Sequence, residues 1–282
     1  MNIRELTEMI AVKLQNDDAL FEARQTVMHL FGLGTGGLIL HKNDKVDDDM
    51  LARVKQIIDR RNSGEPLYYI LGQTEFYSLP FYVGHGVLIP RQDTETLIDK
   101  AIEIIGKYFD KPVKAADICS GSGCIGITLA KNIPNITVDC VELYFDAIQY
   151  LEKNISLNNC DNVSTIKANA LTFCGDYDIV LSNPPYIRHD EKDSLSKEVL
   201  SEPHTALFAD EDGLLFYKKI TENFENRTGI IIYEIGETQG NDVSDILSRH
   251  GFDHTEIIKD DNRLDRVVVG INSKKINLYK EQ

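Results

Sequence analysis

Four consecutive residues carry the clearest chemical signal in the sequence: Asn183, Pro184, Pro185 and Tyr186. Neither proline has a backbone N–H and both have a fixed φ, so the turn is stiff and its carbonyl oxygens can face a pocket as acceptors. The Asn183 side chain adds an amide oxygen as another acceptor, and the Tyr186 ring can hold a planar group. The set suits a planar nitrogen donor, either an amide NH2 or an exocyclic amino group, bonded to Asn183 and to the Pro184 carbonyl.

A proline turn that closes a strand, with the asparagine as a local cap, is the alternative interpretation of these four residues. Their place in the chain favours a functional role, because they directly follow Ile179–Ser182, an apolar run typical of a buried parallel strand. Ligands of open α/β sheets bind at the carboxyl ends of the strands. The sequence therefore predicts a reacting site at the end of this strand.

A glycine-rich loop follows an earlier predicted strand. Residues Gly121 to Gly126 match G-x-G-x-x-G, and Glu142 ends the next strand, a pattern that also fits nicotinamide and flavin enzymes. Two features favour S-adenosylmethionine: Asp117 lies four residues before the first loop glycine, and the last two predicted strands, within 254–271, are joined by a short link as in a terminal antiparallel pair. For either cofactor, Glu142 is expected to accept hydrogen bonds from both ribose hydroxyls. Each charge-assisted bond contributes on the order of 1.5 to 3 kcal/mol to binding.

Asn169 and Ala170 follow the third predicted strand. Asn169 could accept from an adenine amino group while the Ala170 N–H serves a ring nitrogen, although an ordinary loop asparagine is an equally good interpretation. The predicted cofactor-binding residues are Asp117, Cys119, Ser120, Gly121, Ser122, Gly123, Glu142, Asn169, Ala170 and Asn183.

The elements that position these residues alternate between strand and helix. Strands are predicted at 113–119, 137–142, 163–167, 179–182, 230–235, 254–258 and 267–271. Apolar residues at helical spacing lie between them: Phe145, Ile148, Leu151 and Ile155, then Val243, Ile246 and Leu247. This alternation predicts a doubly wound α/β sheet, which is assigned to a catalytic domain at residues 93–282.

Residues 1–65 have a different pattern, with apolar residues at helical spacing from Ile3 onward and a second helix after Asp18. The stretch from Gly32 to Gly37 is expected to break the pattern before a third helix begins at Asp47. A small helical bundle is predicted, and both substrate docking and plain scaffolding fit it.

Residues 66–92 connect the two predicted domains. Their aromatic and β-branched clusters, which include Tyr68 to Ile70 and Val87 to Ile89, are punctuated by glycine and proline. This pattern predicts a connector of one or two β-hairpins that packs on the sheet domain.

Composition limits the possible functions. The chain has 282 residues, with 45 acidic against 30 basic and a formal charge of −15, which argues against affinity that rests on duplex phosphates. Five cysteines without a Cys-x-x-Cys pair indicate reduced thiols rather than disulfides or zinc ligands, so no metal site is predicted. No signal peptide and no bilayer-spanning apolar stretch are recognised, so a cytoplasmic protein without membrane contact is expected.

The motifs together resemble the bacterial release factor glutamine methyltransferases over roughly residues 60 to 271. The matching blocks are Gly64–Gly72, Glu75–Tyr77, Leu88–Arg91, Thr94–Glu95, the glycine-rich loop, Asn183–Ile187, Glu198–Val199, Glu202–Pro203, Ala206–Leu207, Asp212–Leu214, Tyr217 and Asp265–Gly270. Adenine and guanine amino methyltransferases share the Asn-Pro-Pro-Tyr element, and the Leu-Ile-Pro-Arg and Glu-Pro-x-x-Ala-Leu blocks around it narrow the match to this family.

The resemblance implies a Rossmann-like class I S-adenosylmethionine-dependent methyltransferase with an N-terminal substrate-recognition bundle. The implied reaction transfers a methyl group to the side-chain amide nitrogen of the glutamine in the Gly-Gly-Gln loop of class 1 peptide chain release factors. It leaves S-adenosylhomocysteine and supports translation termination, with Asn183 to Tyr186 as the catalytic residues. Direct nucleic-acid binding is not expected.

Two other functions stay open on the sequence. A nucleic-acid exocyclic amino methyltransferase would share the tetrapeptide, but neither a basic groove nor a target-recognition insert is evident. An inactive binding module is the other, because the family usually has Asp-x-Gly where this chain has Asp117-Ile118-Cys119. If that position needs a positive φ, cysteine costs about 1 kcal/mol or more. Asn169 also departs from the aspartate that is frequent there, which keeps the acceptor and loses the charge.

Overall fold

In the computed structural model, which describes residues 1–280, the chain divides into two compact units. One contains Met1–Gln73 together with Ser196–Ser201, and the second contains Thr74–Leu195 and the chain from Glu202 onward. The last two residues of the predicted catalytic domain, 281 and 282, lie outside the described residues. No pattern in the sequence indicated that segment 196–201 groups with the helical unit.

The first unit is helical. Its helices are α1 (Ile3–Lys13), α2 (Ala19–Phe31), α3 (Thr35–Leu40), α4 (Asp48–Asn62) and α5 (Leu67–Leu71). The start of α1 is fixed by a capping box, in which the Asn2 side chain accepts from the Glu5 N–H and the Glu5 carboxylate accepts from the Asn2 N–H. The α4 start is capped in the same way by Asp47, whose carboxylate accepts from the Met50 N–H at 2.7 Å.

The expected break between Gly32 and Gly37 was partly wrong, because the chain turns at Gly32 and then forms α3. Glycine in a helix costs roughly 1 kcal/mol relative to alanine, which is why the pattern suggested a loop. Leu33 and Leu38 pack against the buried core of the bundle, and this packing offsets the low helix propensity.

Residues 66–92 form one hairpin and not two. Its strands are β1 (Gln73–Phe76) and β2 (Leu79–Tyr82), joined by the two-residue turn Tyr77-Ser78, both at positive φ as a type I′ turn requires. The expectation of strand structure at Tyr68 to Ile70 was wrong, because these residues lie in α5, which begins after Pro66 and ends at the left-handed Gly72. Burial of Leu67 and Tyr69 overrides the β propensity of the segment.

Val87 to Ile89 also forms no strand. The backbone N–H of Ile89 donates to the buried Glu202 carboxylate at 2.9 Å, and the same carboxylate pairs with Arg91. A side chain thus satisfies a donor that would otherwise need a partner strand, so this apolar segment can be buried without one. The preference for strands in such a run was outweighed by this long-range contact.

The second unit is built on a seven-stranded sheet. Its strands are β3 (Val113–Ile118), β4 (Ile136–Glu142), β5 (Val163–Lys167), β6 (Ile179–Ser182), β7 (Ile230–Glu234), β8 (His254–Lys259) and β9 (Asp265–Ile271). The order is β5-β4-β3-β6-β7-β9-β8, parallel from β5 to β7, with β9 antiparallel to both β7 and β8. The predicted doubly wound sheet and its terminal antiparallel pair are confirmed.

Helices flank this sheet. They are α6 (Glu95–Tyr108), α7 (Cys124–Asn132), α8 (Phe145–Leu157), α9 (His204–Leu207), α10 (Leu215–Phe224), α11 (Gly240–Arg249) and α12 (Ser273–Lys280). Alternate strand residues enter two different core clusters: Ile179 and Leu181 belong to one, and Val180 to the other. Both faces of the sheet are therefore covered, as expected for a parallel sheet.

The strand order reverses between β3 and β6, which are parallel neighbours with Ile118 level with Ser182. Residue 119 and residue 183 consequently leave the sheet side by side. This is the topological switch point at which open α/β sheets bind ligands. Within residues 1–280, no helix has both the length and the apolar character needed to cross a bilayer.

Candidate active site

A cavity opens at this switch point, with an empty volume of about 1100 Å³ that includes its mouth. It lies within the sheet unit. The sequence-predicted residues that line it are Cys119, Ser120, Gly121, Ser122, Glu142, Asn169, Ala170, Asn183 and Pro185. Asp117, Gly123, Pro184 and Tyr186 are outside its lining.

The glycine-rich loop turns sharply between β3 and α7. The Gly123 N–H donates to the Ser120 carbonyl at 2.8 Å, and Gly123 itself has a φ of 81° directly before α7 begins. A Cβ at this position would collide with the Leu151 side chain of α8. Only glycine allows both the left-handed backbone and the close approach of the helix, so Gly123 shapes the loop from outside the cavity wall.

Cys119 has a φ of 61°, so the residue that replaces the usual glycine of the family lies in the left-handed region. A residue with a Cβ pays about 1 to 2 kcal/mol there. The position therefore does require a positive φ, and the loop forms its turn although the residue is a cysteine and not a glycine. Burial and the nearby carboxylates of Glu142 and Asp117 raise the pKa of the Cys119 thiol, which therefore stays protonated at neutral pH.

The Glu142 carboxylate is held by the loop. Its Oε2 accepts from the Gly121 N–H at 2.9 Å, and its Oε1 accepts from the N–H groups of Leu143 and Tyr144 at 2.7 and 2.9 Å. A carboxylate has about four acceptor positions, so roughly one remains for a ligand hydroxyl. If Glu142 accepted from both ribose hydroxyls, one of the hydroxyls would have to share an acceptor position with a backbone N–H that already occupies it.

Two polar atoms beneath the loop are buried and unpaired within the described residues: Asp117 Oδ1 and Ser120 Oγ. The other oxygen of Asp117 accepts from the Gly126 N–H at 3.0 Å. Burial, together with the charge of Glu142, raises the pKa of Asp117 to about 7 although the Gly126 bond lowers it. Unpaired buried acceptors of this kind favour a polar, positively charged ligand, so the residues fit S-adenosylmethionine with its ammonium and sulfonium groups.

Asn169 is exposed at the cavity wall, and its Oδ1 accepts from the Leu171 N–H at 2.9 Å. This is a local asparagine turn, as in the second interpretation of the residue. An amide oxygen has two lone pairs, so the turn leaves one acceptor position at the wall. Ala170, which follows, is buried and also lines the cavity.

Asn183 lines the cavity beside residue 119, and its side chain begins a chain of two hydrogen bonds to residues that are not among the sequence-predicted site residues. Its Nδ2 donates to Thr94 Oγ1 at 3.4 Å, and Thr94 Oγ1 donates to Glu234 Oε2 at 2.6 Å. In the sequence, Thr94 appeared only inside a block that matches the family, and Glu234 only near the end of a predicted strand. That position was the available signal for Glu234, because β6 and β7 are neighbours and their carboxyl ends lie together.

Tyr186 lines a second cleft, together with Gln239 and Arg266, and does not line the cavity of Asn183. Its backbone carbonyl accepts from Gln239 Nε2 at 3.1 Å. Burial raises the pKa of the Tyr186 phenol, so the ring is neutral. The four residues of the tetrapeptide thus do not share one cavity wall. Among residues 1–280, no three His, Cys, Asp or Glu side chains are grouped as a metal ion would need.

This sheet order, with its cavity at the switch point, is that of a class I S-adenosylmethionine-dependent methyltransferase, and S-adenosylmethionine is the cofactor. The methyltransferase small domain model matches residues 94–217, and the PrmC N-terminal domain model matches residues 6–72. The chain belongs to the release factor glutamine methyltransferase family.

Two relatives support this membership. The release factor glutamine methyltransferase of Flavobacterium psychrophilum is 39% identical over 241 residues, which cover 82% of this chain and 84% of that protein. That of Thermodesulfovibrio yellowstonii is 32% identical over 280 residues, covering 97% and 98%.

Solved structures share the fold at low identity. The catalytic domain of hMettl16, solved with an RNA hairpin, has a TM-score of 0.58 at 17% identity and covers 80% of this chain and 82% of its own. A methyltransferase from Pyrococcus furiosus has a TM-score of 0.51 at 16% identity, covering 80% and 99%.

Proposed function

We propose that this protein transfers a methyl group from S-adenosylmethionine to the side-chain amide nitrogen of the glutamine in the Gly-Gly-Gln loop of class 1 release factors. A protein with this role in translation termination would work in the cytoplasm. Family membership supports the substrate class. The observation that carries the chemistry is that Asn183 lines the same cavity as the glycine-rich loop and Glu142.

Within this proposal, the glycine-rich loop and Glu142 would hold the cofactor in the cavity that Asn183 also lines. The Glu142 carboxylate would accept from a ribose hydroxyl, and the unpaired Oγ of Ser120, which lines the cavity, would serve a polar end group. Asp117 does not line the cavity and would act on the positively charged groups from beneath the loop. Asn169 and Ala170, which line the cavity, would hold the adenine. Cys119, Gly121, Ser122 and Gly123 shape the loop that brings these groups together.

The mechanism is direct displacement without a covalent enzyme intermediate. When bound, S-adenosylmethionine supplies a methyl group activated by the positive sulfur. An amide nitrogen is a poor nucleophile because its lone pair is delocalised into the carbonyl. The Asn183 Oδ1 and the Pro184 carbonyl accept hydrogen bonds from the substrate NH2, turn its nitrogen toward the methyl group and favour electron density at nitrogen.

Positioning accounts for much of the rate, since aligned neighbours contribute roughly 7 to 11 kcal/mol in model systems. Pro185 contributes to the cavity wall and keeps the turn stiff. The sequence assigned the Tyr186 ring to holding the planar amide, but Tyr186 lines the second cleft, so we assign it instead to fixing the end of the turn through the bond of its carbonyl to Gln239. No strong base is required, because the extra proton can pass to water or to these acceptors once transfer has begun.

The helical residues 1–65 are assigned to substrate recognition, residues 66–92 to the connector and residues 93–282 to catalysis. The helical unit includes Ser196–Ser201, which follow the tetrapeptide by ten residues. Arg61 of α4 pairs with Glu22 at 2.8 Å and with Glu198 of that segment at 2.9 Å, and both Arg61 and Glu22 are 9% exposed. The segment that Arg61 ties to the helical unit is thus close in sequence to the proposed reacting residues.

Incubation with methyl-labelled S-adenosylmethionine and a panel of release factor, tRNA, rRNA and DNA tests the function. We expect label in the release factor alone, and peptide mapping should place it on the glutamine of Gly-Gly-Gln. Asn183→Ala serves as the control, since it should cut turnover far more than it weakens cofactor binding. Label in the nucleic acids and none in the release factor would support the amino methyltransferase alternative instead.

A further inference from the structure

A chain of two hydrogen bonds behind Asn183 has no part in the mechanism above. It runs from Asn183 Nδ2 to Thr94 Oγ1 and from there to Glu234 Oε2. We infer that Thr94 and Glu234 are positioning residues that orient the Asn183 amide with its oxygen toward the substrate. This inference rests on the proposed function, because it concerns the same acceptor.

The direction of the bonds follows from which atoms can donate. An ionised carboxylate only accepts, so the 2.6 Å bond to Glu234 commits the single hydroxyl proton of Thr94. Thr94 Oγ1 is then left as an acceptor, and the NH2 of Asn183 is the donor that lies within reach of it. The amide oxygen is thereby turned away from Thr94. The neighbouring carboxylate therefore determines the orientation of the Asn183 amide.

The fold brings the three residues together from three elements. Asn183 follows the last residue of β6, Glu234 is the last residue of β7, and the pairing of Ser182 with Tyr233 places 183 level with 234. Thr94 precedes α6. Thr94 is 1% exposed and Glu234 is 2% exposed, so water has little access to the bond between them.

The Asn183 bond is long at 3.4 Å, whereas the Thr94 bond is short at 2.6 Å. Catalytic hydrogen bonds are frequently long without substrate and tighten in the reacting complex. The short inner bond is thus fixed in advance, and the outer bond is the one that substrate binding should strengthen.

Protonation of Glu234 would reverse the direction of both hydrogen bonds. Burial and Asp93 raise the pKa of Glu234 to about 7, against the lowering effects of the Thr94 bond, Arg266 and Arg91. The phenols of Tyr186 and Tyr217 also face this region and stay neutral, because burial raises the pKa of each. A protonated Glu234 can donate to Thr94, whose own proton then turns to Asn183.

In that protonated state, the Asn183 oxygen accepts from Thr94 and its NH2 points to the cavity. Two NH2 groups would then face each other, and the substrate amide would lose its acceptor. The productive orientation is consequently present when Glu234 is ionised.

Paired substitutions at Thr94 test the positioning role. Thr94→Val removes the hydroxyl at nearly constant shape, and Thr94→Ser keeps it. We expect Thr94→Val to lower kcat for release factor methylation about tenfold, with the cofactor Kd unchanged within about twofold, and Thr94→Ser to restore most of kcat. Equal kcat in the two variants, or a cofactor Kd that weakens in step with kcat, would overturn the inference.

A measurement without turnover examines the orientation directly. In protein labelled with 15N-asparagine, the side-chain NH2 signal of Asn183, assigned by its loss in Asn183→Ala, should shift with pH around a midpoint near 7. In Glu234→Gln this shift should vanish. The ratio of wild-type kcat to Glu234→Gln kcat should rise with pH as Glu234 ionises and become constant above the same midpoint. A persistent shift in Glu234→Gln, or none in the wild type, would contradict the chain of bonds.

The outcomes separate the two proposals. If wild-type protein does not methylate a release factor, the proposed function fails while the NMR titration still decides the orientation. If it does methylate, equal Thr94 variants refute only the positioning role.

Discussion

The left-handed backbone at Cys119 can be tested by comparing Cys119→Gly with Cys119→Ala, because these variants differ only in the Cβ. Both remove the thiol and its packing against the core, but alanine keeps a Cβ at a φ of 61°. The left-handed region costs a residue with a Cβ about 1 to 2 kcal/mol. Glycine loses roughly 0.4 to 1 kcal/mol of this advantage through the entropy of the unfolded chain. Cys119→Gly should therefore be more stable than Cys119→Ala by about 1 kcal/mol.

Differential scanning calorimetry of the cofactor-free protein measures this difference. For a unit of this size, 1 kcal/mol corresponds to about 2 to 4 °C in Tm, and calorimetry separates the transitions if the two units unfold independently. The shift should appear in the transition of the sheet unit, which contains residue 119. A Cys119→Ala protein as stable as Cys119→Gly would show that the left-handed backbone is not maintained in solution.

Three further outcomes follow from the structure. Glu142→Gln should weaken cofactor binding about tenfold in calorimetry, because charge-assisted bonds become neutral ones, and unchanged affinity would remove Glu142 from the site. Because the pKa of Glu234 is raised from 4.5 to about 7, the folded protein keeps a proton that the unfolded chain releases, so this residue lowers stability as pH rises through that window. Relative to Glu234→Gln, the wild type should lose up to roughly 3 kcal/mol between pH 4.5 and 7, and parallel pH curves would refute this. Arg61→Ala should destabilise the helical unit by about 3 kcal/mol because Glu22 stays buried without its charge partner, and adding Glu22→Gln should recover part of that loss.

The sheet was predictable because each strand is a local pattern. All seven strands lie where runs of apolar and β-branched residues indicated them, since strands buried on both faces need such runs. The glycine-rich loop was predictable for the same reason, as its backbone geometry demands glycine at Gly123. Both inferences used residues close together in the chain.

Contacts between distant residues were not predictable. Thr94 and Glu234 are 140 residues apart, and no local pattern indicates that one hydroxyl joins a carboxylate to Asn183. Helix α5 forms where propensity favoured a strand, because tertiary burial outweighs differences of a few tenths of a kcal/mol per residue. The local turn at Asn169 was one of two interpretations that the sequence left equal.

A crystal structure with S-adenosylhomocysteine and a release factor bound would show whether Asn183 and Pro184 hold the substrate amide. We expect the glutamine NH2 within about 3 Å of both the Asn183 Oδ1 and the Pro184 carbonyl, with its nitrogen toward the sulfur. An Asn183 amide that presents its NH2 to the substrate, or a Pro184 carbonyl that faces away from it, would refute the proposed mechanism.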